Sequence, residues 1–168
     1  MKRSKIAVSA LIAVVIGLMA LAACGKETNS SQVSPPFRYA QYDHADVVDV
    51  SISGGPGDYS VSVTVSSDDR GCGSYVDWWE VISEEGELLT RRVLLHAHVD
   101  EQPFTRSVGG LKVQPEDHLI IRAHMNDAGY GSTVMRGTVA DGFTQGELSV
   151  DFAADLESRA PLPGNCAF

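Results

Sequence analysis

The chain has 168 residues, 43% of them hydrophobic, with 13 lysines and arginines against 22 aspartates and glutamates and a formal net charge of −9. That length suits one domain with a real core and hardly two. The acidic balance argues against nucleic acid and anionic lipid headgroups as partners, because both would repel such a body.

Met1-Lys2-Arg3-Ser4-Lys5 opens the chain, an apolar run fills residues 6–23, and Leu21-Ala22-Ala23-Cys24 closes it. A basic start, an apolar stretch and small residues before a cut are the parts of an export signal. The closing four residues resemble a bacterial lipobox, in which a peptidase cuts before the cysteine and lipid is joined to its sulfur. A retained transmembrane helix is the plain alternative, since eighteen apolar or small residues just span a bilayer. Gly17, Ser9 and many alanines make the run weakly hydrophobic, however, and such a helix has no use for a cysteine at its end.

The resemblance implies a mature chain that starts at an acylated Cys24 and is held at a membrane by its N-terminal lipid. Buried acyl CH2 groups contribute about 0.8 kcal/mol each, so several chains anchor without a spanning helix. It also implies a place in the cell envelope. Gly25 stands where an aspartate would signal inner-membrane retention, which favours the outer membrane in a source that has two. Loss of residues 1–23 leaves 145 residues and removes Lys2, Arg3 and Lys5, so 10 basic residues face 22 acidic ones, a net of −12.

Residues 24–44 form a tether: 25–36 are polar and end in Pro35-Pro36, a composition that stays flexible. From 45 to 168 short β-type segments alternate with turn residues. Residues 46–53 predict a first strand. Residues 59–66 (YSVSVTVS) alternate strictly, with Tyr and Val inward, the clearest period of two in the chain. Segments 76–83 and 87–98 predict a hairpin through Glu84-Glu85-Gly86. Further strands are expected at 104–113, 117–126 and 132–140, and residues 148–156 form either an extra strand or a short helix. Asp68 and Asp69 beside Arg70 read as a solvated turn. Seven strands with almost no helical period predict an all-β sandwich. Cys72 and Cys166 form an even pair in an oxidising compartment, and a disulfide between them would staple the C-terminal tail to the body.

The strand order over roughly 45–140 resembles a fibronectin type III or immunoglobulin-like domain. Asp77-Trp78-Trp79-Glu80-Val81-Ile82 followed by Gly86-Glu87-Leu88-Leu89 is similar to that family's third strand and hairpin. Leu111-Lys112 to Pro115, then Leu119-Ile120-Ile121-Arg122-Ala123, Asn126 and Gly129-Tyr130-Gly131, is similar to its sixth strand and loop. The family's usual tyrosine is replaced by Leu119, and its second-strand tryptophan is missing. The resemblance implies a fold and no chemistry.

Two uses of the sheet surface compete. His96 and His98 are two apart, hence on one strand face, and with His124 and Glu101 they form a candidate set for zinc or copper. That expectation turns Val93, Leu95, Ala97 and Val99 into the core and Arg92, Leu94, His96 and His98 outward, with His118, Arg122 and His124 facing outward from the 117–126 strand. In fibronectin-like order the two strands flank the one carrying Trp78 and Glu80. Alternatively Trp78, Glu80, Arg92 and Arg122, with Arg136 nearby, make an aromatic and cationic face for an envelope protein or glycan. One of Trp78 and Trp79 must be core; the other is a surface anchor or is covered by the tail. No G-x-S-x-G elbow is present, so the expected role is a non-enzymatic binding or structural module without a cofactor, with a transition-metal protein as the alternative.

Overall fold

The computed structural model describes residues 44–167. The expected export signal at 1–23, Cys24 and the expected tether up to residue 43 lie outside the described residues. Among the described residues no helix is long and apolar enough to cross a membrane.

Among the described residues nine strands form two antiparallel sheets. β1 (Ala45–Gly55), β2 (Asp58–Ser67) and β5 (Phe104–Leu111) make the first, in the order β1-β2-β5. β3 (Val76–Ser83), β4 (Leu88–Val93), β6 (Leu119–Met125), β8 (Thr133–Thr138) and β9 (Gly142–Glu147) make the second, in the order β4-β3-β6-β8-β9, and the two-residue β7 (Gly129–Tyr130) pairs with β6. The fold is the expected all-β sandwich, and β3 lies between β4 and β6 as the family order implied.

The alternation in β2 explains the first sheet. Tyr59, Val61, Val63 and Val65 are buried in the core, while Ser62 and Thr64 face out and hydrogen-bond Ser107 and Thr105 of β5 at 2.7 and 2.8 Å. The core between the sheets is completed by Trp79 and Val81 of β3, Leu119, Ile121 and Ala123 of β6, and Phe104 and Leu111 of β5.

The second sheet behaves differently. Every residue of β6, and every residue of β3 except Ser83, is buried. An antiparallel sheet usually shows one face to water. Here the outer face is covered by residues 148–167, a strap that follows β9 and contains the 3-10 turn η1 (Ala154–Ser158). Leu156 of η1 closes a second, smaller core with Ile82, Ile120 and Val134 on that outer face. The undecided segment 148–156 thus leads into this short helical turn. The Cys72–Cys166 disulfide joins the strap's end to the β2–β3 connection across 94 positions of sequence.

Two boundaries differ from expectation. β4 stops at Val93, and residues 94–103 are irregular, because Leu94 turns into the core. β9 was not anticipated: GFTQGE has one large apolar residue, and the strand is an edge held by its ladder with β8.

Candidate functional site

The charges of the outer face fall in one cross-strand row. Register places Arg91 of β4 opposite Glu80 of β3, and Glu80 opposite Arg122 of β6. Glu80 accepts from Arg91 Nε at 2.7 Å through one carboxylate oxygen and from Arg122 Nε at 2.9 Å through the other. All three side chains have no exposure to solvent. Two guanidiniums against one carboxylate leave a surplus positive charge, which would be costly to bury alone.

The strap supplies the compensation. Arg91 donates to the carbonyls of Leu156, Arg159 and Pro161, and Arg122 donates to those of Phe152 and Ala153. These peptide dipoles present their negative ends to the two cations. Aromatic faces do the rest: the Arg91 guanidinium lies 4.5 Å from the centre of the Trp78 ring, and that of Arg122 lies 3.5 Å from the centre of Tyr130. Burial, with Glu80 adding to it, pushes the Tyr130 hydroxyl well above the usual phenol range.

One row along, Trp78 pairs with His124 in the ladder and stacks on it, ring centres 3.7 Å apart. His124 Nδ1 lies 2.7 Å from Asp77 Oδ1, and its Nε2 lies 3.7 Å from Glu157 of the strap. Trp78 is 3% exposed and Trp79 0%, so neither ring is available as a surface anchor. Trp78 is enclosed by Arg91, His124 and Tyr130 on the face that the strap packs against.

The expected binding face is therefore corrected in two ways. Trp78, Glu80 and Arg122 do share a face, but it is occupied by the chain's own strap. Arg92 is not part of it: Arg92 pairs with Trp79, and Arg91 takes the place beside Glu80. A bulge in the β3–β4 ladder between Val81 and Ile82 goes with this register. Arg136 is exposed.

The histidines are also redistributed. His96 is exposed, and His98 is buried against Phe104 with ring centres 3.8 Å apart. His124 is taken by Asp77, and Glu101 is taken by Arg106 at 2.8 Å, which holds that carboxyl below its ordinary range. His118 is exposed, 3.9 Å from Glu84. Of the four expected metal ligands, His96 and His98 lie side by side with ring centres 4.6 Å apart, but Glu101 is held by Arg106 and His124 by Asp77. Among the described residues no three His, Cys, Asp or Glu side chains are placed to hold a metal ion, and none of these four is assigned as a ligand.

Two polar side chains, buried Asp69 and exposed Asn126, have structural roles beyond what their turn positions suggest. Asp69 is not in a solvated turn: Oδ1 accepts from Ser67 Oγ at 2.8 Å and Val76 N at 2.9 Å, and Oδ2 accepts from His98 N at 2.7 Å. Asn126 accepts from Tyr75 N and donates to the Cys72 carbonyl, fixing the loop that bears the disulfide. Both carry ordinary turn residues in sequence, and only the long-range pairing gives them a role. Beside the disulfide an open groove of about 500 Å³ is lined by Gly71, Cys72, His96, Ala97, Val99 and Ala167.

No family model and no solved structure matches the chain. A curated protein of Halomicrobium mukohataei, named "Putative lipoprotein", is 39% identical to it over 102 residues, which are 60% of this chain and 50% of that protein. The chain thus spans about half the length of this curated relative.

Proposed function

We propose that this protein is an exported, lipid-anchored lipoprotein of the cell envelope, whose fibronectin-like sandwich is a non-enzymatic binding or structural module. The observation that carries the reading is Leu21-Ala22-Ala23-Cys24 at the end of the apolar run, joined by a relative whose printed name is that of a lipoprotein. A disulfide in the body agrees with life outside the cytoplasm. In a source with two membranes, Gly25 favours the outer one.

The non-enzymatic part rests on how the outer sheet face uses its charges. Glu80, Arg91 and Arg122 spend their hydrogen bonds on one another and on the strap, so their chemistry is internal. A partner, whether envelope protein or glycan, would meet the exposed loops and not Trp78. The transition-metal alternative has no assembled set of three or more donors behind it among the described residues.

The anchor is tested by detergent-phase partitioning of the full-length protein expressed in a lipoprotein-processing host. The wild type is expected in the detergent phase, with an N-terminal mass that includes acyl chains on Cys24. Cys24→Ser should move it to the aqueous phase by tenfold or more, since single-signal binding is marginal without the acyl groups (about 0.8 kcal/mol per CH2 lost). Equal partitioning of both forms, with residues 1–23 retained, would remove the lipoprotein reading.

A further inference from the structure

We propose that residues 94–103, the irregular segment between β4 and β5, form an acid-sensitive latch triggered by the imidazole of His98, closed at neutral pH and opened on acidification. Opening would widen the groove beside the disulfide, whose lining includes His96, Ala97 and Val99 of this same segment.

The geometry that carries this is a buried imidazole with nothing to bond. The His98 side chain is 1% exposed, and neither Nδ1 nor Nε2 has a hydrogen-bond partner. A neutral ring tolerates that position because one face packs on Phe104. A charged ring is disfavoured there, since burial penalises the cation and the Asp69 carboxylate, 3.7 Å from Nδ1, lies beyond hydrogen-bond reach.

The charged and titratable groups around the ring come from three elements. Asp69 faces it from the β2–β3 connection, with Oδ2 3.7 Å from Nδ1. Arg106 faces it from β5, and His96 and Glu101 from its own segment. Burial, then Arg106 and then His96 lower the His98 pKa, against smaller opposing contributions from Asp69 and Glu101. Glu101 is already held by Arg106. Asp69 is fixed by Ser67 and Val76 and already accepts the His98 backbone N–H on Oδ2. At 3.7 Å that oxygen's remaining lone pair is beyond hydrogen-bond reach of Nδ1, so a protonated ring bonds it only by moving.

The segment's ties converge on the same residue. His98 N donates to Asp69, and the His98 carbonyl accepts from Gln102 Nε2 at 3.0 Å and Glu101 N at 3.3 Å. The ends are anchored separately, by Leu94 N to the Asp77 carbonyl and by Gln102 to Ser67. Displacing His98 thus frees the middle of the segment while its ends stay put. The sign follows from linkage: with the folded pKa below that of the open state, closure is fully favoured above the ordinary histidine value of about 6.5 and is lost as pH falls through the folded value.

The test uses the purified full-length protein. Amide exchange of residues 96–102, corrected for intrinsic rate, should lose protection about tenfold between pH 7.5 and 5.5, while β3 and β6 keep theirs. The His98 ring, followed by NMR, should titrate below about 6.5. His98→Phe keeps the stack and removes the proton site, so the loss should vanish; if that variant does not fold, the wild-type ring titration decides. A ring that titrates at or above the ordinary value, or protection loss that persists in His98→Phe, overturns the latch. So does protection of 96–102 by equimolar zinc at pH 7.5, which would make the ring nitrogens ligand donors instead.

Discussion

Glu80→Gln should destabilise the sandwich by about 3–5 kcal/mol, the range seen when one partner of a buried ion pair is removed. In a domain of this size that lowers the melting temperature by roughly 10–20 °C. The side chain keeps its shape, so the loss is electrostatic: two fully buried guanidiniums lose the one carboxylate between them. The variant amide can also accept on one side only, which leaves Arg91 or Arg122 facing a donor. Replacing the whole row with apolar residues, a change that is often neutral in buried ion pairs, should not restore stability here. The carbonyls of Phe152, Ala153, Leu156, Arg159 and Pro161 would then lose the arginines that satisfy them. Buried unpaired acceptors cost about 1–3 kcal/mol each. A denaturant titration of Glu80→Gln and of the triple apolar variant checks both statements. A Glu80→Gln protein within about 1 kcal/mol of wild type would show that the row is solvated in solution and that the strap does not seal it.

The row also marks where sequence reading reached its limit. The period of two in YSVSVTVS fixed the inward face of β2 unambiguously, and Leu119, Ile121 and Ala123 did the same for β6. Trp78, Glu80 and Arg122 were therefore legible as one face. The failure lay in Arg91-Arg92 and Leu94-Leu95, two pairs of identical neighbours. Alternation can be laid through them in either phase, and a shift by one residue exchanges faces for the entire strand. The bulge between Val81 and Ile82 decides the phase, and nothing in the composition announces it. With the phase reversed, Leu94 enters the core and Leu95 stays exposed. The strand meant to carry His96 and His98 ends before them, so although their rings stay 4.6 Å apart, His98 is buried while His96 is exposed.

Other features were illegible for a different reason. In β9 and the strap Leu156 is the buried apolar residue among the described residues, while Phe143, Leu148, Phe152 and Ala153 pack only partly buried and without a period of two, so hydrophobic pattern says little about them. Their place is set by backbone groups, as ladder bonds to β8 and as carbonyls offered to arginines. Main-chain acceptors have no signature in a sequence. The only clue was indirect: an outer face with two arginines, a glutamate and a tryptophan on neighbouring strands needs either water or a cover.

Replacing both Cys72 and Cys166 by serine should cost about 2–4 kcal/mol, yet leave most of the strap in place. The chain-entropy account of a bridge closing a loop this long gives an upper figure of roughly 4–5 kcal/mol, and measured gains usually fall short of it. The bridge and the arginines hold different stretches. Arg91 and Arg122 grip residues 152–161, and Leu156 is seated in the small outer core. Beyond Pro161 the ties are the disulfide itself and the bond from Ala167 N to the Leu95 carbonyl. Without the bridge, residues 162–167 should therefore become sensitive to protease and exchange rapidly, while amides and side chains beneath 152–161 remain protected. Limited proteolysis followed by mass measurement distinguishes the two stretches, with thermal melts giving the overall loss. If cleavage instead begins near residue 148 and the tryptophan fluorescence shifts toward that of exposed rings, the covalent bridge holds the strap. The arginine row would then be a consequence of that closure and not its cause.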